Sequence, residues 1–369
     1  MATIQDVARL AGVSTATVSR VISGRGYVSP ASRQQVLAAA DELDYVPNGL
    51  ARGLKTQRSG LIALLVPEIV NSFYTTISRG VEDVANTSGL QVILGNTDES
   101  VAKERAYVEL MISTRVDGVI IAPAGRTANP LKPLLASGVP TVLVDRAVAG
   151  VPADVVRGDS IAGAQTLTKH LLALGHRRIA LINGHRDTSV ARDREAGFRA
   201  ALADAHVEIH ERLISSGTWF IDDAEARTGV ILDANNPPTA IFAANNFMAI
   251  GALRALRERG RHVPEDMALV CFDDIPDAAE VDPFLTALAQ PAYTMGTLAM
   301  QLLLERISGT FQDSPREIVL SSQLLIRRSC GAQLAAPAVG FNVDIGPDGD
   351  GRSADEFAAL PTGKPTVLA

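Results

Sequence analysis

The chain has 369 residues, of which 47% are apolar and 20% are charged, and its net charge at pH 7 is −7. This length exceeds that of one ordinary hydrophobic core and predicts about two or three domains. The sequence shows neither a secretion signal at its N-terminus nor a run of about 18 apolar residues that would cross a membrane. Its two cysteines lack a CxxC spacing, so we expect ordinary thiols in a protein of the cytoplasm.

The charge is unevenly distributed along the chain. Residues 1–60 contain seven Lys or Arg and four Asp or Glu, a net +3, and the remaining residues therefore carry −10 of the total of −7. A basic head on an acidic body is typical of a polyanion-binding module attached to a second, different domain.

The first two predicted elements are short helices joined by a turn. "TIQD" has the form of a capping box, with Asp6 three residues after Thr3. Gly12 permits a sharp turn, and Ser14 is placed to cap a second helix over residues 15–22. Two short helices around a glycine-containing turn predict a helix-turn-helix motif.

The second of these helices presents small polar side chains. Its apolar positions, Val18, Val21 and Ile22, are predicted to face inward. The outer positions are Thr15, Ala16, Thr17, Ser19 and Arg20. Small hydrogen-bonding side chains allow a helix to approach base edges and phosphates in the DNA major groove. The pattern by itself is equally compatible with an ordinary helical hairpin that has a polar outer face.

A third helix and a short basic segment follow. "SPASRQQVLAAADELDYVPN" places Ser29 as the N-cap and Pro30 at the first helical position, with an end near Tyr45. The next segment, "PNGLARGLKT", is a helix candidate that is too short to be stable alone.

These motifs together resemble the LacI/GalR family of transcription regulators. "TIQDVARLAGVSTATVSRVISG", "VSPASRQQVLAAADELDYVPNGLARGLKT" and the body that follows match the family in order, over nearly nine tenths of the chain. The resemblance implies a helix-turn-helix domain over residues 1–46 and a hinge helix over 47–58. It also implies a two-lobed effector-binding and dimerisation domain over 59–330.

The resemblance also implies roles for individual residues of the head. Thr15, Ala16 and Arg20 occupy base-reading positions, although Arg20 has Asp6 or Asp44 as alternative partners. Thr17, Ser19 and Asn48 occupy phosphate-contacting positions, and Thr3 and Ser14 complete the set at the helix N-termini. Leu50 and Ala51 help to pair two hinge helices, and Leu54 is the minor-groove wedge.

The body alternates short apolar runs with amphipathic stretches. The runs are "LIALLVPE", "QVILGNTD", "GVIIAPA", "PTVLVDR", "RRIALING", "TAIFAANN" and "MALVCFDD". Such runs predict buried parallel strands, and their alternation with helices predicts a doubly wound α/β fold. Polar residues at the strand ends mark a candidate site, because ligands bind beyond the carboxyl ends of such strands. They are Asp98, Asp145, Arg146, Asn183, Asn245, Asn246, Asp273 and Asp274, and the Asn and Asp residues among them have helix capping as their alternative role.

The body is also similar to the periplasmic sugar-binding proteins, whose two lobes close around a ligand. Matched by motif, the implied effector residues are Asn71, Phe73, Tyr74, Asp145, Arg146, Arg194, Trp219, Asn245, Asp273 and Gln290. Aromatic rings suit the C–H faces of a sugar, and planar amide, carboxylate and guanidinium groups suit its hydroxyls. The set resembles that of ribose-binding proteins and favours a pentose or similar monosaccharide, with a purine as the second possibility.

No nucleophile elbow, phosphate-binding loop or HExxH motif is present, and the spacing of His206 and His210 indicates no metal site. Asp145 and Asp273 are conceivable as a glycosidase pair, but an N-terminal DNA-binding head favours a sensor. We therefore expect no catalytic activity, cofactor or metal. We expect a bacterial, nucleoid-associated homodimer, most simply a repressor, that binds near-palindromic operator DNA and one small effector.

The last segment, residues 331–369, departs from the family pattern. It is rich in Gly, Pro, Ala and Asp and carries five acidic residues against Arg352 and Lys364. This composition predicts a disordered extension.

Overall fold

The computed structural model describes residues 2–24, 26–45, 58–125, 127–275 and 281–334. It begins with three helices, α1 (Ile4–Leu10), α2 (Thr15–Ser23) and α3 (Pro30–Glu42). One valine from each helix (Val7, Val18 and Val36) is fully buried in a small core that the three helices share. Helix α3 ends earlier than the predicted end near Tyr45, because the chain turns at Asp44, which has a left-handed φ of 46°.

Within the described residues, the first lobe of the body contains six strands and four α-helices. The strands are β1 (Leu61–Val66), β2 (Gln91–Asn96), β3 (Gly118–Ile121), β4 (Thr141–Val144), β5 (Asp154–Gly158) and β11 (Glu317–Leu320). The helices are α4 (Ser72–Thr87), α5 (Val101–Thr114), α6 (Lys132–Ala136) and α11 (Ala292–Ser308). The sheet is parallel throughout, in the order β11-β5-β4-β3-β1-β2. Apolar clusters cover both of its faces, as a parallel sheet requires.

The second lobe repeats this plan. Its strands are β6 (Ile179–Asn183), β7 (Ile214–Ser216), β8 (Ala240–Ala243), β9 (Ala268–Phe272), β10 (Thr286–Ala289) and β12 (Gln323–Leu325). Its helices are α7 (Ser160–Ala173), α8 (Ser189–Asp204), α9 (Ile221–Leu232) and α10 (Asn246–Glu258). The sheet order is β12-β10-β9-β8-β6-β7, with only β12 antiparallel among these described strands. Position by position, β4 of the first lobe corresponds to β9 of the second.

The chain passes between the lobes three times, after β5, after β10 and after β11. The crossing segments contact one another, because Asp159 donates its backbone N–H to the carbonyl of Leu320 at 2.9 Å. Gly158 lies so close to Gln290 that a side chain on Gly158 would overlap the Gln290 amide. No helix in the described ranges is long and apolar enough to span a bilayer.

Candidate functional site

The outer side of α2 is the candidate DNA-binding surface. Ser14 caps this helix by accepting the backbone N–H of Thr17 at 3.1 Å, and Gly12 has the left-handed φ of 64° that the preceding turn requires. Thr15, Ala16 and Arg20 are exposed, Thr17 and Ser19 are half-buried, and Val18 and Val21 face the core. The helix-turn-helix geometry predicted from the sequence is therefore present.

Thr3 is an exposed N-cap whose capping box with Asp6 is complete, with Thr3 N–H to carboxylate at 3.0 Å. Asn48, Leu50, Ala51 and Leu54, to which the sequence assigns hinge and phosphate roles, lie outside the described residues.

A pocket lies between the two lobes, at the carboxyl ends of their strands. Nine of the ten sequence-predicted effector residues line it, namely Asn71, Phe73, Tyr74, Asp145, Arg146, Arg194, Trp219, Asn245 and Asp273. The other lining residues are Glu68, Glu99, Val190, Phe220 and Phe247. The lining therefore contains four carboxylates and two guanidinium groups.

Two buried carboxylates occupy equivalent positions in the two lobes. Asp145 follows β4 and accepts a hydrogen bond from the Tyr74 hydroxyl at 2.8 Å. Asp273 follows β9, accepts a 2.6 Å hydrogen bond from the Gln290 amide and lies 3.7 Å from Arg194 Nη1. Both residues have left-handed backbones, with φ of 65° and 66°. Because the left-handed backbone conformation is unfavourable for residues other than glycine, the lobes hold these carboxylates at some cost in stability.

Burial raises the pKa of both carboxyl groups. The pKa of Asp273 rises from 3.8 to about 6, because desolvation outweighs the opposing charge of Arg194. The pKa of Asp145 is raised by the same burial, which Arg146 opposes. Burial also raises the pKa of the Tyr74 hydroxyl, so Tyr74 remains a neutral donor to Asp145.

Among the ion pairs of the pocket, that of Arg146 with Glu99 has the most hydrogen bonds. Glu99 accepts hydrogen bonds from both of its terminal nitrogens, at 2.7 Å and 2.6 Å, and the carbonyl of Pro123 accepts a third at 3.1 Å. Arg146 Nε is 3.6 Å from Asp145. This bidentate arrangement leaves Arg146 little capacity to bind a second anion.

Trp219 provides the largest aromatic surface of the pocket. The guanidinium carbons of Arg146 and Arg194 lie 5.6 Å and 5.9 Å from its ring centroid. Its indole packs directly on Gly184, where any side chain would overlap the ring. On the opposite lobe, Phe73 and Tyr74 form an edge-to-face pair with centroids 5.2 Å apart. A small ligand between the lobes would thus meet aromatic surface from both sides.

Several buried polar atoms in and beside the pocket have no hydrogen-bond partner within the described chain. They are Nε of Arg146, Nε of Arg194, Nε1 of Trp219 and Oε1 of Gln290. Buried donors and acceptors are nearly always satisfied in proteins. These three donors and one acceptor can bind the hydroxyl or carbonyl groups of a polar ligand, or water.

The other strand-end residues have structural roles. Asp98 pairs with Lys103, and Asp274 forms a two-point ion pair with Arg327 at 2.5 Å and 2.8 Å. The Asn183 amide is bound to the carbonyl of Ala191. Gln290 is absent from the pocket lining but contacts it through Asp273. No cluster of three or more metal-ligating side chains occurs in the part of the chain that the structure describes.

Sequence reasoning did not identify Glu68, Glu99, Phe220 or Phe247. Phe220 directly follows Trp219, and Phe247 follows the polar strand end "AANN". Both were therefore predictable as neighbours in sequence of predicted site residues. The role of Glu99 could not be predicted in this way, because its partner Arg146 is 47 positions away in sequence.

Taken together, the fold and the pocket define a DNA-binding head joined to a two-lobed ligand-binding body. The head matches the family model of bacterial regulatory proteins of the lacI family over residues 3–48. Residues 168–330 match a periplasmic binding protein-like domain.

Curated relatives match over almost their full length. The ribose operon repressor of Halalkalibacterium halodurans is 37% identical over 330 residues, which cover 89% of this chain and 97% of the relative. The transcriptional repressor PurR of Vibrio atlanticus is 36% identical over 309 residues, which cover 83% of this chain and 92% of the relative. The chain belongs to the LacI family of transcriptional regulators.

Solved structures agree with this assignment. The lac repressor dimer bound to operator and the anti-inducer ONPF superposes with a TM-score of 0.76 at 29% identity, covering 89% of this chain and 99% of that one. A complex of the regulator CelR with cellobiose has a TM-score of 0.67 at 36% identity, covering 89% of this chain and 100% of that one.

Proposed function

We propose that this protein is a repressor whose affinity for operator DNA is controlled by a neutral monosaccharide, most simply a pentose. The observation that carries the proposal is the pocket itself. Two buried carboxylates and two guanidinium groups lie between aromatic rings of both lobes, and polar atoms there remain without partners. Sugars combine apolar C–H faces with hydroxyls that both donate and accept, which is the complement of this lining.

The DNA-binding part of the proposal rests on α2. Thr15, Ala16 and Arg20 would contact base edges, and the polar side chains beside them would contact phosphates. Asn48, Leu50, Ala51 and Leu54 would complete the operator contacts at the hinge, with Leu54 entering the minor groove.

A homodimer would place two heads in successive major grooves of a near-palindromic operator on the chromosome. The edge strand β2 supports this assembly, because Ile93 and Leu94 are partly exposed on it although both are apolar. The lac repressor compared above is itself a dimer on its operator. Dimer formation is measurable by light scattering of the purified protein.

Effector binding would act through lobe closure. A ligand that contacts Asp145 in one lobe and Asp273 in the other favours the closed form over the open form. Closure would change the orientation of the first lobe, to which the predicted hinge helix over residues 47–58 is joined. This change would alter the affinity for DNA. Operator binding measured with and without the sugar distinguishes release of DNA from promotion of DNA binding.

The test is a titration of the full-length protein with D-ribose, other pentoses, hexoses, cellobiose, hypoxanthine and guanine. Trp219 is the single tryptophan of the chain and lies in the pocket, so its fluorescence reports occupancy directly. We expect saturable binding of one monosaccharide without its consumption. Binding of a purine alone would replace the sugar proposal by a purine sensor, and turnover of the sugar would indicate an enzyme.

A further inference from the structure

We propose that Glu99 is the specificity residue that restricts this pocket to uncharged or cationic ligands and excludes ligands that carry a phosphate or carboxylate. The inference rests on the proposed function, because it defines the chemical class of effector for the same pocket. Its starting observation is that the pocket contains an arginine whose binding groups are already occupied.

The geometry of Arg146 makes it an anion site that the protein itself fills. A free guanidinium would bind a phosphate through two parallel N–H groups. Here the two oxygens of Glu99 take both terminal nitrogens, at 2.6 Å and 2.7 Å. The Arg146 side chain is 4% exposed and that of Glu99 is 15% exposed, so water screens this pair weakly.

The charges around Arg146 have the same effect. Asp145 lies 3.6 Å from its Nε, and the fully buried Glu104, which interacts with Arg146 by charge, accepts the backbone N–H of Ala124. The lining itself carries four carboxylates, those of Glu68, Glu99, Asp145 and Asp273, against two guanidinium groups. An incoming dianion would meet net negative charge in a desolvated site, where like charges repel strongly.

The N–H donor that Arg146 still has available is suited to bind a hydroxyl. Its Nε has no hydrogen-bond partner in the described chain, and its guanidinium faces the Trp219 ring. A single N–H donor beside an aromatic face can bind one hydroxyl of a ring that stacks on the tryptophan. The arrangement therefore selects the free sugar over its phosphate ester.

The experiment compares wild type, Glu99→Gln and Glu68→Gln by Trp219 fluorescence. Each is titrated with inorganic phosphate and with D-ribose 5-phosphate, at constant ionic strength maintained with chloride. Glu68→Gln is the matched control, since it also removes one carboxylate from the lining but leaves the Glu99–Arg146 pair intact. The double variant Glu99→Gln/Arg146→Gln tests whether any gain passes through Arg146.

We expect no saturable response to either phosphate in wild type or Glu68→Gln. Glu99→Gln should show saturable binding of both phosphates, at concentrations about tenfold or more below the highest at which wild type gives no response, because a freed guanidinium takes phosphate in two-point contact. The double variant should lose that gain. Glu99→Asp, which is too short for the two-point contact, should give an intermediate response and serves if Glu99→Gln does not fold.

Two results would overturn the inference. One is saturable phosphate binding by wild type at the concentrations that saturate Glu99→Gln. The other is the absence of any gain in folded Glu99→Gln and Glu99→Asp. The sugar panel is a separate measurement, so a failed panel with a positive Glu99→Gln result would reject the proposed effector and leave the charge filter in place.

Discussion

Asp145 and Asp273 show how single residues make this pocket. Each combines a left-handed backbone with nearly complete burial, and neither feature favours the folded protein. The surrounding partners, Tyr74 for one and Gln290 with Arg194 for the other, hold them in place. Stability is thus reduced where function needs two fixed acceptors facing each other across the lobes.

The raised pKa of Asp273 predicts a defined pH dependence of stability. The native carboxyl has a pKa of about 6 and the unfolded one about 3.8, so the native state retains its proton over this range. The free energy of unfolding of wild type should therefore fall relative to that of Asp273→Asn as the pH rises from about 4 to about 6. Above about pH 7 the difference should be constant. Chemical unfolding of both proteins across this range measures it.

Asp154 provides a control of opposite sign. Burial raises its pKa, but its ion pairs with Arg306 and Arg316 outweigh burial, and the pKa is lowered from 3.8. Its contribution to the free energy of unfolding is lost only as the pH falls below about 3.8, the pKa in the unfolded chain. The free energies of unfolding of Asp154→Asn and wild type should therefore differ by a constant amount between about pH 4.5 and 7. A flat profile for Asp273→Asn as well would contradict the predicted shift.

Four pocket residues were predictable from their position after a strand, and the other five predicted lining residues came from the resemblance to sugar-binding proteins. Asp145, Asn245 and Asp273 each directly follow an apolar run, and parallel strands bring such ends to one edge. The same rule also selected Asp98 and Asp274, which form ion pairs outside the pocket. Position relative to a strand thus gives the edge of the sheet, whereas the side-chain partner depends on the packed structure.

At the scale of elements, two helix N-termini meet across the mouth of the pocket. Asn71, the N-cap of α4 in the first lobe, donates its amide to Asn246 at 3.1 Å. Asn246, the first residue of α10 in the second lobe, donates back at 2.9 Å. Both side chains are buried. This reciprocal pair favours the closed arrangement of the lobes.

We therefore expect Asn246→Ala to bind the effector more weakly. Closure would lose two hydrogen bonds, each worth about 1 kcal/mol, so the sugar concentration at half-saturation should rise about tenfold or more. Fluorescence titration of Trp219 measures the change. Asn235→Ala, at an exposed loop position, is the control and should bind like wild type. Equal affinities in the two variants would show that the pair does not contribute to closure.

The strands divide into those that periodicity predicts and those that it does not. The seven predicted apolar runs all contain strands, because these strands are covered on at least one face by the core. Strands β5, β7, β10, β11 and β12 were not predicted. The last two lie at sheet edges and have only exposed and half-buried residues, and β5 contains Asp154 and Arg157. Short strands with charged or exposed residues lack the continuous apolar signal.

At the scale of the whole molecule, the three segments that cross between the lobes connect the pocket to the joint between the lobes. This joint is distinct from the predicted hinge helix over residues 47–58. Gln290 lies on one crossing, packs against Gly158 of another and donates to Asp273 in the pocket at 2.6 Å. Gln290 thus contacts the pocket residue Asp273 on one side and a second crossing on the other. Through this amide, we expect a rotation of the lobes to be linked to the position of Asp273 and so to ligand binding.

This linkage predicts that Arg194→Ala separates the two functions of the protein. Arg194 Nη1 donates to the carbonyl of Ala244 at 2.5 Å and lies beside Asp273, far in sequence from the DNA-binding helix. Its loss should abolish the effector response and leave operator affinity within about twofold of wild type, because its contacts among the described residues are with Ala244, Asp273 and nearby rings, all in the second lobe. Arg192→Ala, an exposed position on the same helix, is the matched control and should respond normally.

The measurement is operator binding at fixed salt with and without the sugar, on duplexes selected from random sequence by the wild-type protein. If the sugar changes wild-type operator affinity by a factor in the usual range of about 5 to 150, operator must change sugar affinity by the same factor. Trp219 fluorescence with and without operator checks this reciprocity. An Arg194→Ala protein that still responds at wild-type sugar concentrations would place the effector elsewhere, whereas a loss of operator affinity without sugar would mean that Arg194 stabilises the DNA-binding conformation itself.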